Sequence, residues 1–255
     1  MDDQRPWYDA AFEGGYVEVY PHRDLAAARA EVAGLVARGV GSNGGRVLDL
    51  GCGFGRHVLA LRERGLDAFG LDRSLALLRR AAPSLAGRLA RGDSRALPLR
   101  AGAFRTVLML FSSFGYFDDA ENQHVLAEIA RVLAPGGLVV LDLMNPEHVR
   151  STLVSETRTR RGAFEIHERR RLERGGTRVV KEVSLRAADR SERRWREDVR
   201  LYGADEIAEL LSSAGLAPLR AEGDFDGSAF APASARQILW ARKVPSQPGA
   251  HAPGA

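Results

Sequence analysis

Asp49 closes the apolar run Val47-Leu48-Asp49-Leu50, and Gly51-Cys52-Gly53-Phe54-Gly55 follows at once. Glycines at alternate positions remove Cβ atoms where the chain must turn with positive φ, and they let a ligand approach the backbone. A second acid, Asp72, lies 21 residues beyond Gly51, where nucleotide-binding α/β folds place a carboxylate on ribose hydroxyls. One anionic acceptor shared by two neutral hydroxyls makes strong charge-assisted hydrogen bonds. Asp72 could instead cap the helical stretch from Ser74 to Arg80, although Ser74 is the better cap. Spacing excludes the dinucleotide fingerprint: G-x-G-x-x-G would put its last glycine at Arg56, but here the third glycine comes one residue early, at Gly55.

Those residues need a strand–turn–helix scaffold, and the surrounding pattern supplies one. Val47–Leu50 reads as a buried strand and Val58-Leu59-Ala60-Leu61 opens a helix. Asp67–Leu71 reads as a second strand ending at Asp72. Phe104–Phe111 is nearly continuously apolar, as a strand covered on both faces should be. It runs into the loop Ser112-Ser113-Phe114-Gly115-Tyr116-Phe117, at the strand edge where open α/β sheets hold their reacting groups. A helix ending at Arg131–Gly137 leads to a strand over Leu138–Leu143. Near the C-terminus, Ala204–Ser213 reads as a helix, and Leu216–Glu222 and Gln237–Arg242 as strands.

Two segments lie outside that alternation. Tyr8, Phe12, Tyr16 and Tyr20 fall on one face if residues 5–23 are helical throughout; this face either packs on the core or closes as a lid that excludes water from a reaction. Asp24 then caps a helix over Leu25–Arg38. Residues 146–202 alternate with period two over Phe164–Glu173, Arg178–Ala187 and Arg193–Tyr202, predicting an antiparallel meander. From Arg158 to Arg200 there are 14 arginines and one lysine against eight acids, net +7 in a chain of net +4. That charge is read three ways: a solvated face of interleaved pairs, a site for a phosphate- or carboxylate-bearing molecule, or an RNA surface. The few aromatics there (Phe164, Trp195, Tyr202) form no recognised stacking platform, which counts against RNA.

The acid-x-G-x-G-x-G element at 49–55 resembles the first motif of class I S-adenosylmethionine-dependent methyltransferases. Asp72, Gly92-Asp93-Ser94, the Phe111-Ser112-Ser113-Phe114-Gly115-Tyr116 loop and Leu133-Ala134-Pro135-Gly136-Gly137 match further motifs in order. The loop is most similar to that of amino-sugar N,N-dimethyltransferases and glycine N-methyltransferase-like enzymes, and it lacks the [DN]-P-P-[YF] signature of exocyclic base-amine methylation. The resemblance implies an α/β fold: a Rossmann-like, seven-stranded, doubly wound sheet with its last strand antiparallel, here with an antiparallel β insertion after strand 5. It implies S-adenosyl-L-methionine as methyl donor, with S-adenosyl-L-homocysteine as product, and methyl transfer to an N or O nucleophile of a small molecule. Methyltransferases of RNA or protein, and a non-catalytic donor-binding protein, are the alternatives.

Residue roles follow from the same resemblance. The glycine loop, with Asp49, Gly51, Cys52 and Gly53, cradles the donor, and Asp72 with Arg73 takes its ribose side. Asp93 accepts from the adenine amino group and the Ser94 amide contacts the ring. Phe111 and Ser112 complete the wall, and Tyr16 or Tyr20 closes over the donor. Tyr116 is either the base that removes the acceptor's proton or a wall of the pocket; His148 and Glu147 are weaker candidates for the base. The six histidines are scattered without metal-ligand spacing, so no metal site is expected.

At 255 residues, 45% hydrophobic and 27% charged, the chain suits one sizeable α/β domain with an insertion. The expected organisation is an N-terminal helical lid over 1–42, a core over 43–145 and 203–243, the insertion at 146–202 and a disordered tail over 244–255. No apolar run of about 18 residues suggests a membrane span, and the polar N-terminus reads as no signal peptide. Cys52 is the only cysteine, which fits a reducing cytoplasm. A small-molecule acceptor, anionic on one reading of the insert, is the expected partner. A homodimer is compatible with the sequence, and nucleic acid and membrane are not expected.

Overall fold

The computed structural model describes residues 6–13 and 15–245. Two short helices, α1 (Trp7–Ala11) and α2 (Tyr16–Val19), precede α3 (Leu25–Ala37). The single helical face expected for the N-terminal aromatics is therefore broken: Gly15 turns the chain with φ 83°, a conformation that other residues adopt at a cost. Asp24 caps α3 by accepting from the Ala27 amide at 2.8 Å.

The core then alternates as expected: β1 (Val47–Leu50), α4 (Arg56–Glu63), β2 (Ala68–Asp72), α5 (Leu75–Leu78), β3 (Leu89–Arg91), β4 (Phe104–Met109), α6 (Asp119–Val132) and β5 (Leu133–Met144). After an inserted segment come α8 (Ala204–Ser213), β10 (Leu216–Glu222) and β11 (Arg236–Lys243), the insert itself holding α7 (Pro146–Thr152) and four strands described below. The strands form one seven-stranded sheet in the order β10-β11-β5-β4-β1-β2-β3. β11 runs antiparallel to both its neighbours, and the other pairs within β1–β5 are parallel.

Alternating side chains feed two cores, one on each face. Leu48, Leu50, Val139, Leu141 and Leu239 point to α6 and α8, whereas Val47, Leu138, Val140, Ile238 and Trp240 point to α3 and α4. That double coverage is why β1, β4 and β5 lack an amphipathic pattern. Two boundaries differ from expectation. β4 stops at Met109 because Phe111 and Ser112 adopt φ 55° and 54°, outside strand geometry. β5 starts at Leu133, and Pro135-Gly136-Gly137 lies within it where the β4 register shifts between Phe104 and Thr106.

The insertion is a separate antiparallel sheet of four strands, one more than the alternation suggested: β6 (Glu156–Arg161), β7 (Phe164–Glu173), β8 (Arg178–Arg186) and β9 (Glu192–Arg200). β6 is Glu-Thr-Arg-Thr-Arg-Arg, an edge strand with no apolar residue, so period two gives no signal. Ile166, Val183, Leu185 and Trp195 on one face pack against Ala11 and Val19 of α1 and α2. The other face carries interleaved ion pairs, among them Arg171 with Glu173 and Glu182, and Arg196 with Glu173 and Asp198. The tail expected over 244–255 lies outside the described residues from 246 onward.

Candidate active site

A cavity of about 470 Å³ opens at the C-terminal ends of β1, β2 and β4 and is roofed by the N-terminal aromatics. Its floor is the glycine loop. Gly51 has φ 80°, and a Cβ there would come within 2.9 Å of the Ser113 side chain, so loop and β4 edge touch through a position only glycine can fill. The Gly53 amide donates to Asp72 Oδ2 and the Ser74 amide to Oδ1, each at 2.7 Å. Two main-chain donors thus fix the carboxylate while leaving further lone pairs toward the cavity. Ser74, not Asp72, caps α5, accepting from the Leu77 amide at 3.2 Å. Burial pushes the Asp72 carboxyl above its usual range despite these two bonds.

Beneath the loop lies a network that the sequence did not announce. Glu31 of α3 accepts from Arg56 at 2.9 Å and contacts His57 Nε2 at 2.8 Å, while His57 Nδ1 is 3.8 Å from Asp49 Oδ2. Asp49 is 1% exposed, and that Oδ2 has no hydrogen-bond partner. Burial raises its pKa to about 7, Arg56 opposing and Asp72 adding to the rise. Burial depresses His57 to about 4, so that imidazole stays neutral. Cys52 is buried and its thiol is pushed well up, chiefly by burial, which leaves it a small loop side chain.

Asp93 and Arg73 both line the cavity, but their charges are committed. Asp93 accepts from the Arg95 amide at 2.9 Å, from its guanidinium at 2.8 and 3.1 Å, and from Arg73 at 2.5 Å. These contacts, Arg95 foremost, hold the carboxyl below its usual range. With both oxygens so occupied, an adenine amino group would have to displace a guanidinium. Arg73 reaches back to the roof instead of the ribose, donating to Asp9 at 2.6 and 3.0 Å. Ser94 lines the cavity beside Asp93.

Tyr8, Phe12 and Tyr16 line the roof and Tyr116 the β4 loop. Phe12 stacks on Tyr116 at 5.9 Å, and Trp7 meets it edge-on at 4.9 Å. Burial drives the Tyr116 hydroxyl far above its ordinary pKa, so it is a neutral phenol, which argues for the wall or a hydrogen-bonding group over a proton-removing base. Arg23 also lines the cavity; it donates to the Tyr16 hydroxyl, its Nε is buried without a partner, and no ion pair among the described residues neutralises it.

Four expected residues lie elsewhere. Tyr20 faces the insert, donating to Glu197 at 2.8 Å and accepting from Lys181; it ties roof to insert and does not line the cavity. His148 sits on α7 with Nδ1 3.1 Å from the Ala233 carbonyl, fastening a loop away from the cavity, and Glu147 beside it is exposed. The Ser112 side chain is also absent from the lining; its amide bonds to the Asp142 carbonyl at 2.9 Å, because the left-handed backbone turns this residue behind the wall that Phe111 forms.

A seven-stranded sheet with one antiparallel strand, a glycine loop after β1 and acids after β2 and β3 together define the class I methyltransferase fold. Residues 47–137 match the family model described as a methyltransferase domain. Demethylmenaquinone methyltransferase of Thermus thermophilus is 41% identical over 109 residues, covering 40% of this chain and 48% of that protein. The dTDP-3-amino-3,4,6-trideoxy-alpha-D-glucopyranose N,N-dimethyltransferase of Streptomyces venezuelae is 34% identical over 122 residues, 47% of this chain and 51% of its own. A crystal structure of an S-adenosylmethionine-dependent methyltransferase from Clostridium acetobutylicum superposes with TM-score 0.78 at 16% identity, covering 90% of this chain and 98% of that one. The chain spans about half the length of the curated relatives it matches.

Proposed function

We propose that this protein transfers the methyl group of S-adenosyl-L-methionine to a nitrogen or oxygen of a small-molecule acceptor. The observation that carries this reading is the cavity at the C-terminal edge of β1, β2 and β4, in which Asp72, held by two main-chain amides, faces the glycine loop. The donor's ribose would lie on Asp72 and its α-ammonium near the unpartnered oxygen of Asp49. Its carboxylate would meet Arg23, a cavity cation with no acid partner among the described residues and a buried, unpartnered Nε. A sulfonium is already an activated leaving group, so the protein's task is to align the acceptor behind the methyl carbon. Proximity and orientation supply about 7–11 kcal/mol of such a barrier. The aromatic roof would exclude water, and Tyr116 would orient the acceptor as a neutral hydroxyl.

Relatives that act on small molecules, a demethylmenaquinone and an amino sugar by their names, support a small-molecule acceptor. Ion pairs across the outer face of the insert favour a solvated surface over an RNA-binding one, since most of its arginines already have carboxylates. No helix among the described residues is long and apolar enough to cross a membrane. Calorimetric titration with S-adenosylmethionine and S-adenosylhomocysteine tests the donor site: we expect saturable one-to-one binding of both, and no heat with either ends the proposal. Tight donor binding without turnover of any acceptor would favour a non-catalytic donor-binding protein.

A further inference from the structure

Asp142, near the end of β5, is an acid with no exposure; burial raises its pKa, and Arg236 and the Phe111 amide oppose the rise. Its Oδ2 accepts from the Phe111 amide and from Arg236 Nη1, both at 2.7 Å, and its carbonyl accepts from the Ser112 amide at 2.9 Å. Oδ1 has no hydrogen-bond partner. Leu141 and Leu143 on either side are apolar core residues, so a buried acid at this position costs desolvation that a leucine would avoid. Two of its three bonds secure the backbone at the end of β4, and the third holds the Arg236 side chain of β11. Phe111 and Ser112 are consecutive non-glycine residues at φ 55° and 54°, where Cβ crowds the backbone. The other described non-glycine residues with positive φ, Arg174 and Arg190, sit in turns of the insert. Such strain persists only where the surroundings over-determine it, and here β5 and β11 supply the constraint through Asp142 and Arg236.

The turn has a consequence in the cavity. It lays the Phe111 ring against His57 at 5.7 Å, with the Arg56 guanidinium 4.2 Å from the ring centre and that of Arg236 at 4.5 Å. It also brings Ser113 onto Gly51. A relaxed strand continuing through Phe111 would project the ring on another heading and lift Ser113 off the loop. The geometry points to Asp142, paired with Arg236, as a positioning residue of the donor site: the pair holds Phe111–Ser112 in the left-handed turn that closes the wall over the glycine loop. This inference rests on the donor-site reading above. Neither residue lines the cavity, so both act through Phe111.

Calorimetry with S-adenosylhomocysteine on the full chain tests it, using Asp142→Asn, Arg236→Ala, and each combined with Ser112→Gly. Asparagine keeps the shape but lacks the charge that holds Arg236. We expect each single variant to bind about 10-fold more weakly, one left-handed residue's worth of lost constraint, while still melting cooperatively above the assay temperature. Ser112→Gly should return the affinity to within about 3-fold of wild type, because glycine takes positive φ without a Cβ penalty. A role confined to core stability would show no such recovery. Should Asp142→Asn fail to fold, the Arg236→Ala pair of variants decides alone. Wild-type affinity in the single variants, or a loss that Ser112→Gly leaves untouched, overturns the inference. A wild-type protein that binds neither S-adenosylhomocysteine nor S-adenosylmethionine overturns the donor-site reading instead.

Discussion

The floor and the roof of the cavity are held by different kinds of bond. On the floor and the wall beside it, main-chain amides fix the acids, those of Gly53 and Ser74 on Asp72 and that of Phe111 on Asp142. On the roof, α1 and α2 span five and four residues, too short to persist as isolated helices, and side chains tie them down. Arg73 takes Asp9, Ser74 Oγ takes the Phe12 carbonyl, Arg161 takes the Val19 carbonyl, and Tyr20 joins Glu197. Main-chain donors in a tight loop lose little entropy when a ligand arrives, whereas long side chains can release and re-form. On the proposed function the difference would suit two tasks: a preorganised floor for the donor, and a roof able to release for the acceptor.

If the floor carries the donor, its fixed carboxylate should show the largest effect. Asp72→Ala is expected to weaken S-adenosylmethionine binding by about 1.5–3 kcal/mol, the range for hydrogen bonds to a charged group, or roughly 10- to 150-fold. Titration calorimetry reads this directly, and an unchanged affinity would remove Asp72 from the ribose site and with it the contrast between floor and roof.

The same contrast explains what could be read from the chain. Asp49, Gly51, Gly53 and Asp72 lie within one strand–helix–strand unit, where local spacing encodes function, and all of them line the cavity. Arg73 looked like a donor contact from its place beside Asp72, yet its partner Asp9 is 64 positions away. Glu31 meets Arg56 and His57 across 25 and 26 positions, and Asp142 meets Phe111 and Arg236 across 31 and 94. A buried acid inside an apolar strand, as at Asp142, is the one signal that could have been noticed. Tyr20 shared the helical period of Tyr16 and its ring lies 4.9 Å from that of Tyr16, but it ends α2 and its hydroxyl is taken by Glu197 and Lys181 of the insert. β6 escaped because an all-polar edge strand has no apolar alternation.

A middling effect is expected from Asp49. Its folded pKa of about 7 lies above the roughly 3.9 of an exposed aspartate, so the native state favours the protonated form. Its contribution to stability is therefore fully present below about pH 4, declines as pH rises toward 7, and levels off beyond. Donor binding should run the other way, because an ammonium prefers the carboxylate. Between pH 6 and 7.5 the affinity for S-adenosylhomocysteine should rise by up to about 8-fold, the change in ionised fraction across a pKa near 7. Asp49→Asn should flatten that profile. A wild-type affinity independent of pH in this window would place the donor's ammonium elsewhere.

The smallest effect belongs to the roof. Asp9 and Arg73 form a two-pronged ion pair, but their side chains are 26% and 39% exposed, and water screens such a pair to about 0–1 kcal/mol. Arg73 also keeps Asp93 when Asp9 is lost, which cushions the change further. Asp9→Ala should thus shift donor affinity by less than about 5-fold, while α1 and α2 remain attached through Tyr20, Arg161 and the apolar contact with the insert. Parallel titrations of Asp9→Ala and Asp72→Ala compare roof and floor on one scale. Equal losses would mean that the donor is gripped as firmly from above as from below, and that an acceptor must enter by some route other than a lifting roof.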